Sequence, residues 1–252
     1  MTHSPSQATP FTPRAAKVGY AFVALGALLF LAGSYLGLFQ TPAEQYMGEV
    51  GRILYAHVPT AWNAMLALTA AFGFALAFLF TGKWRFDNLL EATVEAGVVL
   101  CFLLCVQGAI WAKPTWGVWW DWDPRLTTMA VLLFLFLGIL ALRKFVEDPV
   151  RRATWSAVST IVAFVDVPIV YFSVKWWNSL HQQQSTPGTV DSIMHLPLRL
   201  NSFAVLFLVA GAVILRSGIA ALRLQDELGP PLPEPRDAGA NPSSGTIAGG
   251  AR

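Results

Sequence analysis

The side chains best suited to chemistry are few. The histidines are His3, His57, His181 and His195, and the cysteines are Cys101 and Cys105. Cys101 and Cys105 stand four residues apart inside one apolar run, so they share a helix face. They form neither a disulfide framework nor a CxxCH haem-attachment site, and they read as small packing residues. Imidazole is a good ligand for transition metals. His57 sits in RILYAHVPTAW, Arg52 to Trp62, and His181 follows Trp176-Trp-Asn-Ser-Leu180. Drawn from two distant segments, the pair can bracket one ion. His195 borders a weak apolar run and His3 lies near the chain start, so neither is taken as a ligand.

A tryptophan cluster stands between them in sequence. Trp116, Trp119, Trp120 and Trp122 fall within seven residues, followed by Asp123, Pro124 and Arg125. An interfacial aromatic belt would place tryptophans at both membrane surfaces and needs no such cluster. Large flat apolar surfaces beside a fixed acid and base suit a flat apolar ligand carrying ionised groups. Haem is such a ligand, and a quinone or a lipid headgroup also fits this composition. Arg125 can pair with a carboxylate in bidentate fashion, with Arg52 as a second candidate. Asp123 is expected to shape the loop or to meet ligand or partner groups; Asp121 is assigned no role.

The elements that must position these residues are membrane helices. Of 252 residues, 55% are hydrophobic and 13% charged, which is far too apolar for an average soluble domain. Runs long enough to cross about 30 Å of hydrocarbon lie near Val18 to Leu38, Val58 to Phe80, Ala92 to Ile110, Leu126 to Leu142, Trp155 to Val174 and Leu196 to Leu222. The last is interrupted by Arg199, Asn201 and Arg216, and needs its arginines to snorkel towards the membrane surfaces. The first is read as a retained anchor rather than a cleaved signal, since prolines precede it and no small-residue cleavage site follows. This gives an all-α integral membrane protein, a bundle of about six transmembrane helices. Residues 1–17 form an N-terminal tail, 18–228 the membrane domain and 229–252 a Pro/Gly-rich tail expected to be disordered.

Six spans put both termini on one side of the membrane. Arg14, Lys17, Lys83, Arg85, Arg143, Lys144, Arg151, Arg152, Arg216, Arg223, Arg236 and Arg252 then share that side. Only Arg52, Lys113, Arg125, Lys175 and Arg199 face the other way. The positive-inside rule makes the termini cytoplasmic. The outer segments become 39–57, 111–125 and 175 to about 194, which hold both candidate histidines and the tryptophan cluster, whereas the inner loops read as plain connectors. A formal net charge of +2 with no basic stripe argues against a nucleic-acid partner. There is no GxxxxGK[ST] phosphate loop, so no ATPase is encoded here and no enzyme activity is expected. Asp166 lies mid-span beside Pro168. It is either the mark of a transport path or part of a helix kink.

WGVWWDWDPRLTT, Trp116 to Thr128, resembles the WWD signature of a haem-handling family that includes CcmC, CcmF and CcsA-type proteins. Its RLT ending resembles the CcmC branch, as do ILYAHVPTAWNA around His57, DVPIVYFSVKWWNSLHQ from Asp166 to Gln182, and the six-span length. The resemblance covers nearly everything but the tails. It implies that haem b, held transiently and without a covalent bond, is bound at the periplasmic face of the bacterial inner membrane with His57 and His181 as axial ligands. It further implies delivery to the haem chaperone CcmE during c-type cytochrome biogenesis, with CcmD and the ABC transporter subunits CcmA and CcmB as partners besides membrane lipid. A transmembrane haem transporter and a haem-based electron-transfer protein are the competing functional classes.

Overall fold

The computed structural model describes residues 11–182 and 188–229. Both tails extend beyond this range: residues 1–10 and 230–252 lie outside the described residues. The helices are α1 (Pro13–Tyr35), α2 (Leu54–Thr81), α3 (Trp84–Trp116), α4 (Pro124–Phe145), α5 (Pro149–Phe164), α6 (Asp166–Trp176) and α7 (His195–Leu228). They make six stretches long and apolar enough to cross a membrane, with α5 and α6 forming one of them. The all-α membrane architecture expected from composition is therefore the one observed.

Local chemistry sets several boundaries. Asp123 and Asp148 cap α4 and α5, each accepting a backbone N–H while a proline fills the first helical position. The chain leaves α3 at Gly117, whose φ of 79° suits a residue without a Cβ. Thr12 caps α1, with Pro13 next, which starts that helix ahead of its apolar run. The α5/α6 span breaks at Val165, whose N–H turns to Val162. Pro168 has no N–H to give to Phe164, so the helical ladder cannot run through that point.

The interior is packed by α2, α3, α4, α5 and α7, with Leu68, Leu90, Leu132 and Phe136 almost fully buried and Ala71, Ala75, Ala153 and Ala157 letting helices approach. The outlying α1 packs on α7 through a seven-residue glycine repeat. A Cβ on Gly26 would stand 2.8 Å from the Ala204 carbonyl oxygen, so only glycine permits this approach.

The sixth span is a continuous helix, and its polar residues are accommodated differently from the expectation of snorkelling at both ends. Arg199 is exposed near one end. Asn201 is buried and donates to the Tyr55 carbonyl at 2.9 Å. Arg216 does not snorkel: it meets Glu91 at 3.0 Å and Glu95 at 2.6 Å. Arg143 joins the same group through Asp87 at 2.7 Å and Glu91 at 2.9 Å. Asp87 and Glu91, read from sequence as connector residues, are in the first turns of α3. This end of the bundle, where α1 begins and α7 ends, thus holds an ion-pair network rather than plain connectors.

Candidate functional site

At the opposite end, α2, α3, α4 and α6 separate around a cavity of about 600 Å³, roofed by the segment from Leu180 to Gln182. That volume suits one medium-sized organic ligand. His57 enters from the first turn of α2 and His181 from the roof; both line the cavity. Their ring centroids are 6.2 Å apart with planes inclined at 34°. Two imidazoles on opposite sides of one metal ion should sit about 6 Å apart, from two metal–nitrogen bonds of about 2 Å and the ring radii. Trp111 of α3 lies edge-on to both, at 5.4 Å and 6.1 Å, and keeps the rings from collapsing sideways.

The roof is held by Asp123. Its carboxylate accepts from the Arg125 N–H at 2.9 Å, the Ser179 hydroxyl at 3.0 Å and the Leu180 N–H at 2.6 Å. Ser179 Oγ in turn accepts from the His181 N–H at 3.0 Å. One buried carboxylate therefore caps α4 and fixes the loop that carries His181. Asp123 shapes the loop, one of the two roles the sequence left open for it.

Tautomer follows from the same loop. His181 Nδ1 lies 2.7 Å from the Gln182 carbonyl oxygen, which can only accept, so Nδ1 carries the proton and Nε2 keeps its lone pair. Burial, reinforced by the nearby Arg125 charge, pushes this imidazole down to about 4, and the ring is neutral at pH 7. His57 Nδ1 is buried with no hydrogen-bond partner. Arg125 lines the cavity, and its Nη1 is likewise buried and unpartnered. A buried guanidinium nitrogen without an acceptor is costly, and an anionic ligand group would satisfy it.

The structure divides the tryptophans. Trp116 and Trp120 line the cavity, as do Trp62 and Trp111. Trp119 and Trp122 do not line it and are 59% and 79% exposed. Arg52 is also elsewhere: its guanidinium pairs with Glu49 at 2.5 Å and donates to the carbonyls of Gly37 and Thr41, tying the end of α1 to the approach to α2. It is a structural clasp: the carboxylate it meets is that of Glu49, and it does not line the cavity. His195 bonds the Val190 carbonyl at 3.0 Å and stays outside the cavity.

Sequence reasoning passed over Met65, Met129, Tyr171 and Ser179, and it placed Trp111 in the outer segment 111–125 without giving it a role. His57, Ala61 and Met65 recur at helical spacing on α2, but no pattern in the chain pairs that face with Trp111. Among the described residues no group of three or more His, Cys, Asp or Glu could hold a bare metal ion. Two imidazoles are too few for a structural ion, yet they would suit an iron whose other ligands come from a porphyrin.

Fold and cavity together define a multi-pass helical membrane protein with a ligand chamber at one end. The family model described as "Heme exporter protein C" (CcmC) matches residues 1–227. Proteins named heme exporter protein C from Bradyrhizobium diazoefficiens and Escherichia coli K12 are each 33% identical, covering 81% and 77% of this chain and 80% of their own length. The Haemophilus influenzae protein of that name is 37% identical over 82% of this chain and 86% of its own. The chain belongs to the CcmC family.

Proposed function

We propose that this protein receives haem at the periplasmic face of the inner membrane and delivers it to the chaperone CcmE in c-type cytochrome biogenesis, alongside CcmD, CcmA and CcmB. Its termini are then cytoplasmic. The observation that carries the reading is the pair of imidazoles, His57 and His181, 6.2 Å apart across a chamber that also holds the buried, unpartnered Nη1 of Arg125. Haem b is the cargo, held without a covalent bond. The two histidines take its iron, Trp111, Trp116 and Trp120 cover the macrocycle, and Arg125 meets a propionate.

Delivery is favoured over passage across the membrane by where the chamber stops. Its deepest lining residues include Thr69 and Leu104, and one turn further in Phe72 stacks on Phe164 at 4.3 Å. Absorption spectra of the purified protein, oxidised and reduced, are expected to show six-coordinate bis-histidine haem, and mixing with CcmE should transfer it. A five-coordinate spectrum, or haem that CcmE never acquires, would overturn the reading. Flux of haem into sealed vesicles containing this chain alone would favour transport instead. An introduced thiol at Ser243 should resist impermeant reagents added outside intact cells; labelling there would reverse the topology.

A further inference from the structure

The chamber has a side as well as a roof. On α2, Trp62, Leu66 and Thr69 follow one another at helical spacing, and all three line the cavity while facing outward; Trp62 and Leu66 are 62% and 52% exposed. Across from them on α6, Tyr171 also lines the cavity and is 44% exposed. Residues that line a cavity yet remain exposed mark its opening. The helix break at Val165 explains why an opening exists there. Up to Phe164, α5 packs against α2; beyond the break α6 packs chiefly on α4, leaving the side of α2 turned towards α6 uncovered from Thr69 upward. The Phe72–Phe164 stack is the sill.

From His57 to Thr69 the opening runs about 18 Å along the helix, well within the hydrophobic stretch Glu49–Thr81. Whatever faces it at that depth is hydrocarbon. The wall is compatible with this: the Thr69 hydroxyl donates to the Met65 carbonyl at 2.7 Å and leaves no donor for lipid to satisfy. The back of the chamber is Leu104, Cys105 and Gly108 of α3, where a Cβ on Gly108 would meet nothing within 4 Å. Among the described residues, Arg125 is the one Lys or Arg lining the chamber, and it stands in the first turn of α4 at the water-facing end.

We propose that the gap between α2 and α6 is a lateral portal through which haem enters edge-on from the adjoining leaflet. This rests on the haem-handling reading above. A molecule with an apolar macrocycle and carboxylates at one edge orients in a leaflet with the macrocycle among acyl chains and the carboxylates at headgroup level. Sliding sideways brings the carboxylates to Arg125 and the iron between His57 and His181 without carrying a charge through hydrocarbon. Without cargo, acyl chains fill the gap.

The test uses full-length protein in proteoliposomes, with haem added to the lipid and the six-coordinate spectrum followed in time. Leu66→Trp and Thr69→Trp each place a large ring in the gap away from the iron site, and Val99→Trp, on an exposed part of α3 outside the cavity, is the control. The plugs should slow capture by about tenfold or more with an unchanged final spectrum, and the control should match wild type. In haem-free protein, Leu66 replaced by p-benzoylphenylalanine should form photo-adducts with acyl chains, and haem should suppress them. This second measurement decides the matter if a tryptophan variant fails to fold. Wild-type capture rates in both plugs, or no acyl adducts at position 66, would overturn the portal while leaving haem binding intact. Absence of the six-coordinate spectrum in the wild-type protein would instead overturn the underlying reading.

Discussion

The two ends of this bundle both hold ionisable side chains and use them in opposite ways. At one end Asp87, Glu91, Glu95, Arg143 and Arg216 each have at least one charged partner at hydrogen-bonding distance. At the other, His57 and Arg125 present buried polar atoms with no partner to a chamber lined mostly by apolar groups. Charge inside a membrane protein is costly either way. Where protein supplies the partner, the group fixes helices to one another; at the chamber, the proposed haem would supply it.

The contrast breaks most visibly if the histidines are replaced. The double variant His57→Ala/His181→Ala should lose specific haem capture almost completely while inserting and melting like wild type, since tryptophan contacts cannot supply iron bonds. His195→Ala is the control, because its ring serves Val190. A wild-type six-coordinate spectrum in the double variant would remove the ligand assignment.

The paired end predicts the reverse phenotype. Arg143 is 8% exposed and bonds both Asp87 and Glu91, so Arg143→Ala leaves the buried Asp87 carboxylate without its cation while Glu91 keeps Arg216. Breaking a buried pair from one side costs about 3–5 kcal/mol. Denaturation in detergent should register that loss, whereas the haem spectrum of whatever remains folded should be unchanged. Equal damage to both readouts would show that the two ends are not separable.

A smaller effect tests the division within the tryptophan cluster. Trp116→Ala and Trp120→Ala should each weaken haem retention by about tenfold, corresponding to about 1.4 kcal/mol of lost contact. Trp119→Ala and Trp122→Ala should change it by less than about twofold, since exposed surface positions away from such features rarely matter. Equal losses at all four positions would show that the cluster acts as one surface, as its sequence suggests.

The smallest effect is a titration. His181 is held neutral down to about pH 4 by burial and by Arg125, against an ordinary value of about 6.5. Because the folded value is depressed, protonation opposes the native arrangement: the stability tied to the neutral ring is fully present above about pH 6.5 and is lost progressively as the pH falls from there to about 4, so the roof should loosen across that window. Histidine NMR of the haem-free protein should show no His181 transition near pH 6.5. A transition there would mean that the roof is open to water.

Much of this was legible in the chain. Run length and composition gave six spans, because an apolar stretch long enough to cross hydrocarbon has few alternatives to doing so as a helix. The break near Pro168 followed from a missing N–H. His57, His181 and Arg125 could be singled out by residue type and by their place at one end of the spans, and all three do line one chamber.

Other assignments needed three dimensions. Arg52 and Arg125 look alike in sequence, and only packing shows one clasping the end of α1 and the other left without an acceptor. Four tryptophans in seven residues read as a single platform, yet Trp116 at the end of α3 and Trp120 in the following turn line the cavity while Trp119 and Trp122 face outward. Asp87 and Glu91 precede the apolar run that begins at Ala92 and so were read as connector; they lie in α3, where Arg143 and Arg216, more than fifty residues away, pair with them. The sequence by itself determined which segments enter the membrane and which residue types are able to hold a metal or a carboxylate, because those are properties of single side chains and short runs. The tertiary structure alone decided which polar groups find partners, because a partner in a helical bundle comes from a different span, and nothing local in the chain records who that neighbour will be.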